Sequence, residues 1–251
     1  MKVAGSKENL ADEILPVLMS FITTYNIKTY VEPFVGGANI IDKIQAEKKI
    51  GYDIDKYIIA LFKYIQNGGE IPEGITKEQF NDAKAQYESK KKTYDDWYIG
   101  LLGYLGGNGK KIYGQRKLGM TTEEFNDKYI ESRNDLLHQL KFIGDIEFKT
   151  ADYKELDFKG ALIYCDPPYS GKAGIDGTAK TINYKEFWDK VREWSKENVV
   201  IVSEEQAPDD FDIIWEQENS SEETDRNKRK TEKLFILREL NENNGEAEFS
   251  F

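Results

Sequence analysis

The sequence predicts an α/β fold, with a sheet of about seven mostly parallel strands and a mainly helical segment inserted among its strand–helix units. Three observations predict it. Short apolar runs alternate with stretches of helical periodicity at both ends of the chain. One run, VVIVS at 199–203, is apolar without interruption, as a strand buried on both faces is. Between residues 68 and 141 the composition turns to Lys, Tyr and Gly over a length no plain connection needs.

Residues 9–25 carry Leu10, Ile14, Leu15, Leu18, Met19 and Ile22 at helical spacing. TYVEPF at 29–34 reads as a short strand that runs into VGGANIIDKI, where a glycine-rich turn is expected to open a helix through Ile40, Ile41 and Ile44. KKIGYDID at 48–55 is a second strand with Asp53 near its end. The helix after it runs through Ile58, Ile59, Leu61, Phe62 and Ile65 and stops at NGG, 67–69.

The inserted segment begins with the helical pattern EQFNDAKAQYES. WYIGLLGYLGGNGKKIYGQRKLG then reads as a glycine-dense loop or hairpin with basic and aromatic tips, and a second helix follows through Phe125, Tyr129, Leu136, Leu137 and Leu140. Such a segment should form a lobe with its own packing. The expected division is therefore 1–67 with 142–251 as one domain and 68–141 as the other.

Strands resume with IEFKTAD at 146–152 and ALIYC at 161–165. YKEFWDKVREWS is an amphipathic helix with Phe187, Trp188, Val191 and Trp194 on one side. DIIWE and KLFIL, joined by a polar loop, suit an antiparallel hairpin at the sheet edge.

Composition narrows the function. No apolar run approaches the ~20 residues of a membrane helix and Met1 is not followed by a signal-peptide core, so a cytoplasmic protein is expected. The lone cysteine, Cys165, lies inside an apolar run and reads as a small buried hydrophobe. The single histidine, His138, has no cluster of partners with which to hold zinc, and no GxSxG elbow accompanies it, so neither a metal site nor a serine triad is expected. The formal net charge of −11 weighs against nucleic-acid binding. Against it stand local clusters: KKK at 90–92, Lys110 and Lys111, Arg116 and Lys117, and RNKRK at 226–230. Each reads equally as solvated surface or as a phosphate contact.

The chemistry gathers at strand ends. In an open α/β sheet ligands bind beyond the carboxyl ends of the strands. Here one strand ends in Glu32-Pro33-Phe34 with Gly36-Gly37 behind it, one at Asp53, one at Asp152 and one in Asp166-Pro167-Pro168-Tyr169. FVGGAN does not fit the GxGxxG of dinucleotide binders. Asp53 and Asp152 each read either as a ligand contact or as an ordinary helix cap. DPPY is more specific. Its prolines fix two φ angles and hold Asp166 extended, and they leave the Asp166 and Pro167 carbonyls as acceptors. Tyr169 adds a flat face. Acceptors beside a stacking ring suit a planar base with an exocyclic amino group.

These motifs, in this order, resemble the Dam-type (D12 class) S-adenosylmethionine-dependent DNA adenine-N6 methyltransferases. KVAGSK at 2–7 is similar to the family's KWAGGK, VEPFVGGAN to its FxGxG cofactor motif, and DPPY to its adenine-specific catalytic motif. The resemblance implies a Rossmann-like class I methyltransferase sheet, with 68–141 as the target-recognition domain. It implies that Lys7, Phe34, Gly36, Gly37, Asp53, Asp152 and Asp166 surround S-adenosylmethionine and that Asp166, Pro167, Pro168 and Tyr169 carry out transfer to N6 of a flipped-out adenine. Lys110, Lys111, Arg116, Lys117, Arg226, Lys228, Arg229 and Lys230 are the candidates to meet double-stranded DNA. The resemblance also implies a bacterial or phage-encoded type.

The sequence departs from the family at Val3, where an aromatic is usual, at Ala38 for the third glycine, and at SEE (203–205) for SN. The insert lacks the RxNxxGxFN-like pattern of GATC readers, so GATC specificity has no support. RNA adenine methylation and a catalytically inactive binding module are the competing readings.

Overall fold

The structure is a computed structural model that describes residues 7, 10–89, 94–106, 121–168, 182–219 and 230–239. In chain order its main elements are α1 (Ala11–Thr24), β1 (Thr29–Glu32), β2 (Lys48–Asp53), α2 (Lys56–Gln66), α3 (Lys77–Ser89), α4 (Asp96–Leu105) and α5 (Thr122–Gln139). There follow β3 (Ile146–Thr150), β4 (Ala161–Cys165), α6 (Tyr184–Trp194), β5 (Val199–Glu204), β6 (Phe211–Asn219) and β7 (Lys230–Leu237). The seven strands form one sheet in the order β3-β2-β1-β4-β5-β7-β6. Only β7 runs against its neighbours. The predicted hairpin of β6 and β7 is present, with β7 inside and β6 at the edge.

Strand periodicity sorts the core into two layers. On β4, Leu162 and Tyr164 face one side while Ala161, Ile163 and Cys165 face the other, and on β5 Val199 and Ile201 oppose Val200 and Val202. The first face is covered by α1, α2, α4 and α5 through Ile14, Leu18, Phe62, Leu102 and Leu136. The second takes α6, whose Phe187, Trp188, Val191 and Trp194 recur at helical spacing. Asn183 starts that helix by accepting from the amides of Lys185 and Glu186.

Two expectations are corrected. Residues 33–47 form successive turns, not a helix. Gly36 and Ala38 sit at φ +45° and +56°, a left-handed backbone that no α-helix propagates. Ile40, Ile41 and Ile44 are still buried. Second, the first part of the glycine-dense stretch is α4, whose residues from Ile99 to Leu105 are all buried. A helix apolar all round must be enclosed. The described helices of 68–141 also pack toward the sheet. Leu101, Leu105, Phe125 and Tyr129 join the cluster that holds Ile58, Phe62 and Leu162.

No helix of the described residues is long and apolar enough to cross a membrane.

Candidate active site

Register brings the chemistry to one edge. Val31 of β1 lies between Ile50 of β2 and Ile163 of β4, and Asp53 pairs with Thr150. Phe34, Asp53, Asp152 and Asp166 therefore leave the carboxyl ends of four adjacent parallel strands. The chain steps from β1 to β2 on one side and to β4 on the other, so a switch point lies between Phe34 and Asp166, where open α/β sheets bind ligands.

The loop after β1 forms one half of the site. The Val35 amide donates to the Tyr52 carbonyl at 2.8 Å, which lays the loop on β2. Gly36 donates to Asp53 Oδ2 at 3.0 Å, and the other oxygen of Asp53 accepts the Asp55 amide at 2.8 Å. Asp53 is thus no helix cap. Asp55 caps α2 instead, accepting from Tyr57, and the Tyr104 hydroxyl of α4 donates to it at 2.5 Å. Burial pushes the Asp53 carboxyl up to about 6, against the pull of its backbone donors. A carboxylate has about four lone-pair directions, so Asp53 keeps acceptor capacity beyond its backbone donors. Half-buried Phe34 packs on Tyr153 and Phe187 at 5.2 and 5.9 Å between centroids and offers an apolar wall. Asp152 both caps a short turn, accepting the Lys154 amide at 3.1 Å, and stays half-buried at the same edge.

Asp166 forms the other half. Lys7, only 5% exposed, places its ammonium 2.5 Å from Asp166 Oδ1 and 3.6 Å from Glu232. Ser203 donates to Glu232 at 2.6 Å, and fully buried Glu204 accepts the Glu205 amide at 2.7 Å. Desolvation raises the Asp166 carboxyl to about 6. The Lys7 cation opposes that rise, while Glu232 and Glu204 add to it. Pro167 is buried and Pro168 exposed, and the Tyr184 hydroxyl donates to the Pro168 carbonyl, pinning the turn to the start of α6. Beneath, Tyr30 donates to buried Glu32 at 2.8 Å, whose carboxyl burial drives well above the usual carboxylate range.

The structure thus gathers Lys7, Phe34, Gly36, Gly37, Asp53, Asp152, Asp166, Pro167 and Pro168 at one sheet edge. Lys7 stands on Asp166. Tyr169, Lys110, Lys111, Arg116, Lys117, Arg226, Lys228 and Arg229 lie outside the described residues, and of Lys230 only the backbone at the start of β7 is described. Sequence reasoning missed Tyr104, Gln139, Tyr184, Glu204 and Glu232. An acid in an otherwise apolar strand end was a usable signal for Glu204, but nothing local marked Gln139. Its amide nitrogen reaches the loop after β1, donating to the Gly37 and Ala38 carbonyls at 2.9 and 3.0 Å. Among the described residues no group of three or more His, Cys, Asp or Glu is arranged to hold a metal ion.

Comparison with known proteins gives a consistent result. The sequence pattern of the family described as D12 class N6 adenine-specific DNA methyltransferase matches residues 4–226. Modification methylase StsI of Streptococcus sanguinis is 25% identical over 188 residues, which are 66% of this chain and 27% of that protein. Type II methyltransferase M.MjaIII of Methanocaldococcus jannaschii is 24% identical over 203 residues, 67% of this chain and 68% of its own. The chain therefore spans about a quarter of StsI and about two thirds of M.MjaIII. Among solved structures, the rRNA methyltransferase AviRa of Streptomyces viridochromogenes is 11% identical with a TM-score of 0.43, covering 92% of this chain and 84% of that one. So distant a likeness carries no argument.

Proposed function

The chain belongs to the D12 class N6 adenine-specific DNA methyltransferases, and from that premise we propose that it methylates N6 of an adenine turned out of duplex DNA, using S-adenosylmethionine. One observation carries the reading most directly. Asp166 of the DPPY turn, braced by Lys7, stands across the β1–β4 switch point from the loop of Phe34–Ala38 and its anchor Asp53.

The residues present suit the cofactor. Asp53 would take the ribose hydroxyls, Phe34 would line an apolar wall, Asp152 would accept from an adenine amino group, and the Gly36-Gly37 backbone allows close approach. When bound, the cofactor supplies an electrophilic sulfonium methyl. The protein's own part is positioning and electrostatics. Adenine N6 is a poor nucleophile because its lone pair is delocalised into the ring. Lys7 occupies Oδ1 of Asp166, which leaves Oδ2 for one N–H of the amine, and the Pro167 carbonyl suits the other. Accepting both hydrogens favours a pyramidal nitrogen and stabilises positive charge as it develops. The base must leave the stack to reach this edge, and Tyr169 is the ring proposed to cover it. The 68–141 segment is proposed to read the target, and buried Cys165 suits a reducing cytoplasm.

The test uses methyl-labelled S-adenosylmethionine, unmethylated duplex DNA and an equal mass of RNA, with digestion to nucleosides. Label in N6-methyldeoxyadenosine, absent for Asp166→Ala, is expected. Label in RNA alone would move the substrate to RNA. No label in either, with the cofactor bound, would leave an inactive module.

A further inference from the structure

We propose that Gln139 is a positioning residue of the cofactor loop, through which the helical 68–141 segment sets how tightly the cofactor is held. The inference rests on the methyltransferase reading above. Gln139 is the last residue of α5 and only 5% exposed. Its Nε2 lies 2.9 Å from the Gly37 carbonyl, 3.0 Å from that of Ala38, 3.3 Å from Asn39 Oδ1 and 3.0 Å from Asp42 Oδ2. Four oxygens around one NH2 group share two protons. Without that donor the Gly37 and Ala38 carbonyls would lose a buried partner, while Asp42 would keep the Lys43 ammonium at 2.9 Å on its other oxygen.

The loop depends on this donor because regular structure does not hold it. Residues 33–47 lie outside the sheet ladder and form no helix, and two residues adopt left-handed backbone. Asp53 grips the loop through the Gly36 amide, and Gln139 grips it through the carbonyls that follow. The two grips trace back to one segment. Asp53 accepts the Asp55 amide, and Asp55 accepts the hydroxyl of Tyr104 in α4. Helices α4 and α5 flank residues 107–120, which hold Lys110, Lys111, Arg116 and Lys117. A DNA contact that shifted those helices would move Gln139 and Tyr104 against the cofactor loop. Linkage then requires DNA and cofactor to change each other's affinity by the same factor.

Three variants separate donor chemistry from bulk. Gln139→Leu keeps volume and removes the donor. Gln139→Glu keeps shape and sets an oxygen against four oxygens. Gln139→Lys supplies an ammonium with three protons. We expect calorimetric Kd for S-adenosylmethionine, measured well below each Tm, to rise about tenfold for Gln139→Leu and more for Gln139→Glu. Gln139→Lys should stay within about threefold, and kcat at saturating cofactor should change little, a split that a merely structural residue would not produce. The ratio of cofactor Kd with and without duplex DNA should also move toward one in Gln139→Leu. Should Gln139→Glu fail to fold, the contrast between the Leu and Lys variants still decides. Equal affinity and an unchanged DNA ratio in folded Gln139→Leu would overturn the inference and leave the methyltransferase reading intact. A wild-type protein that binds no S-adenosylmethionine would sink that reading first.

Discussion

Two carboxyl groups at the sheet edge hold their charge at a cost. Burial raises both Asp53 and Asp166 from 3.8 to about 6. A carboxyl raised on folding binds its proton more tightly in the folded chain, so its ionisation opposes folding. That cost is absent below 3.8 and complete above about 6, and the free protein loses this much stability as pH climbs through the window. In the proposed mechanism function runs the other way, because only an ionised Asp166 offers a negative charge to the positive charge developing on the amine. We expect kcat/KM for DNA, at saturating cofactor, to fall about tenfold per pH unit below an acid limb near 6. Lys7 lowers the Asp166 carboxyl, so Lys7→Met should move that limb upward. A limb that stays in place would show that another group controls the rate. Ala38 is a quieter case. Its φ of +56° costs roughly 1 kcal/mol, while its fully buried methyl returns about 0.8. Ala38→Gly should therefore leave Tm almost unchanged, and the departure from a third glycine is close to neutral.

At the scale of elements, single residues decide how strands and helices meet. Asn198 stands before β5, 1% exposed, and accepts the Ala161 amide at 3.0 Å. It donates to the Phe158 and Trp194 carbonyls at 2.7 and 2.9 Å, joining β4, the end of α6 and the loop that leads into β4. Removing it strands three backbone groups, two of them buried, so Asn198→Ala should cost about 3 kcal/mol, read as a Tm lower by roughly 6–12 °C. A drop under about 2 °C would mean that water replaces the side chain. Gly100 lets α4 lie on α2, since a Cβ there would sit 2.4 Å from the Tyr57 carbonyl. Alanine gains about 1 kcal/mol of helix propensity, but the clash is with backbone and forces the helices apart. Gly100→Ala should thus lower Tm. The same glycines explain why α4 was misread as a loop. Composition marks Gly as a breaker, and only the neighbouring helix reveals that it is a contact.

Over the whole molecule, what was legible followed from local rules. Apolar runs ending in Phe34, Asp53, Asp152 and Asp166 identified parallel strands with a reactive edge, because parallel strands share one carboxyl end. The turns at 33–47 and the seat of Gln139 were not legible, since each is set by partners about 100 residues away. The proposed DNA binding is where local and global terms conflict. Forty-six acids against 35 Lys and Arg give the chain a net charge of −11, so its mean field repels a polyanion. Affinity must then come from clusters that touch phosphate directly. If all eight basic residues from Lys110 to Lys117 and from Arg226 to Lys230 do so, log K should fall with log salt at a slope of about −7. Anisotropy of a labelled duplex across a salt series measures it. Reversing the four charges at 110, 111, 116 and 117 should bring the slope to about −4 and weaken binding most at low salt. A slope that survives the reversal would clear these residues of phosphate contact and leave recognition to the described helices of the segment.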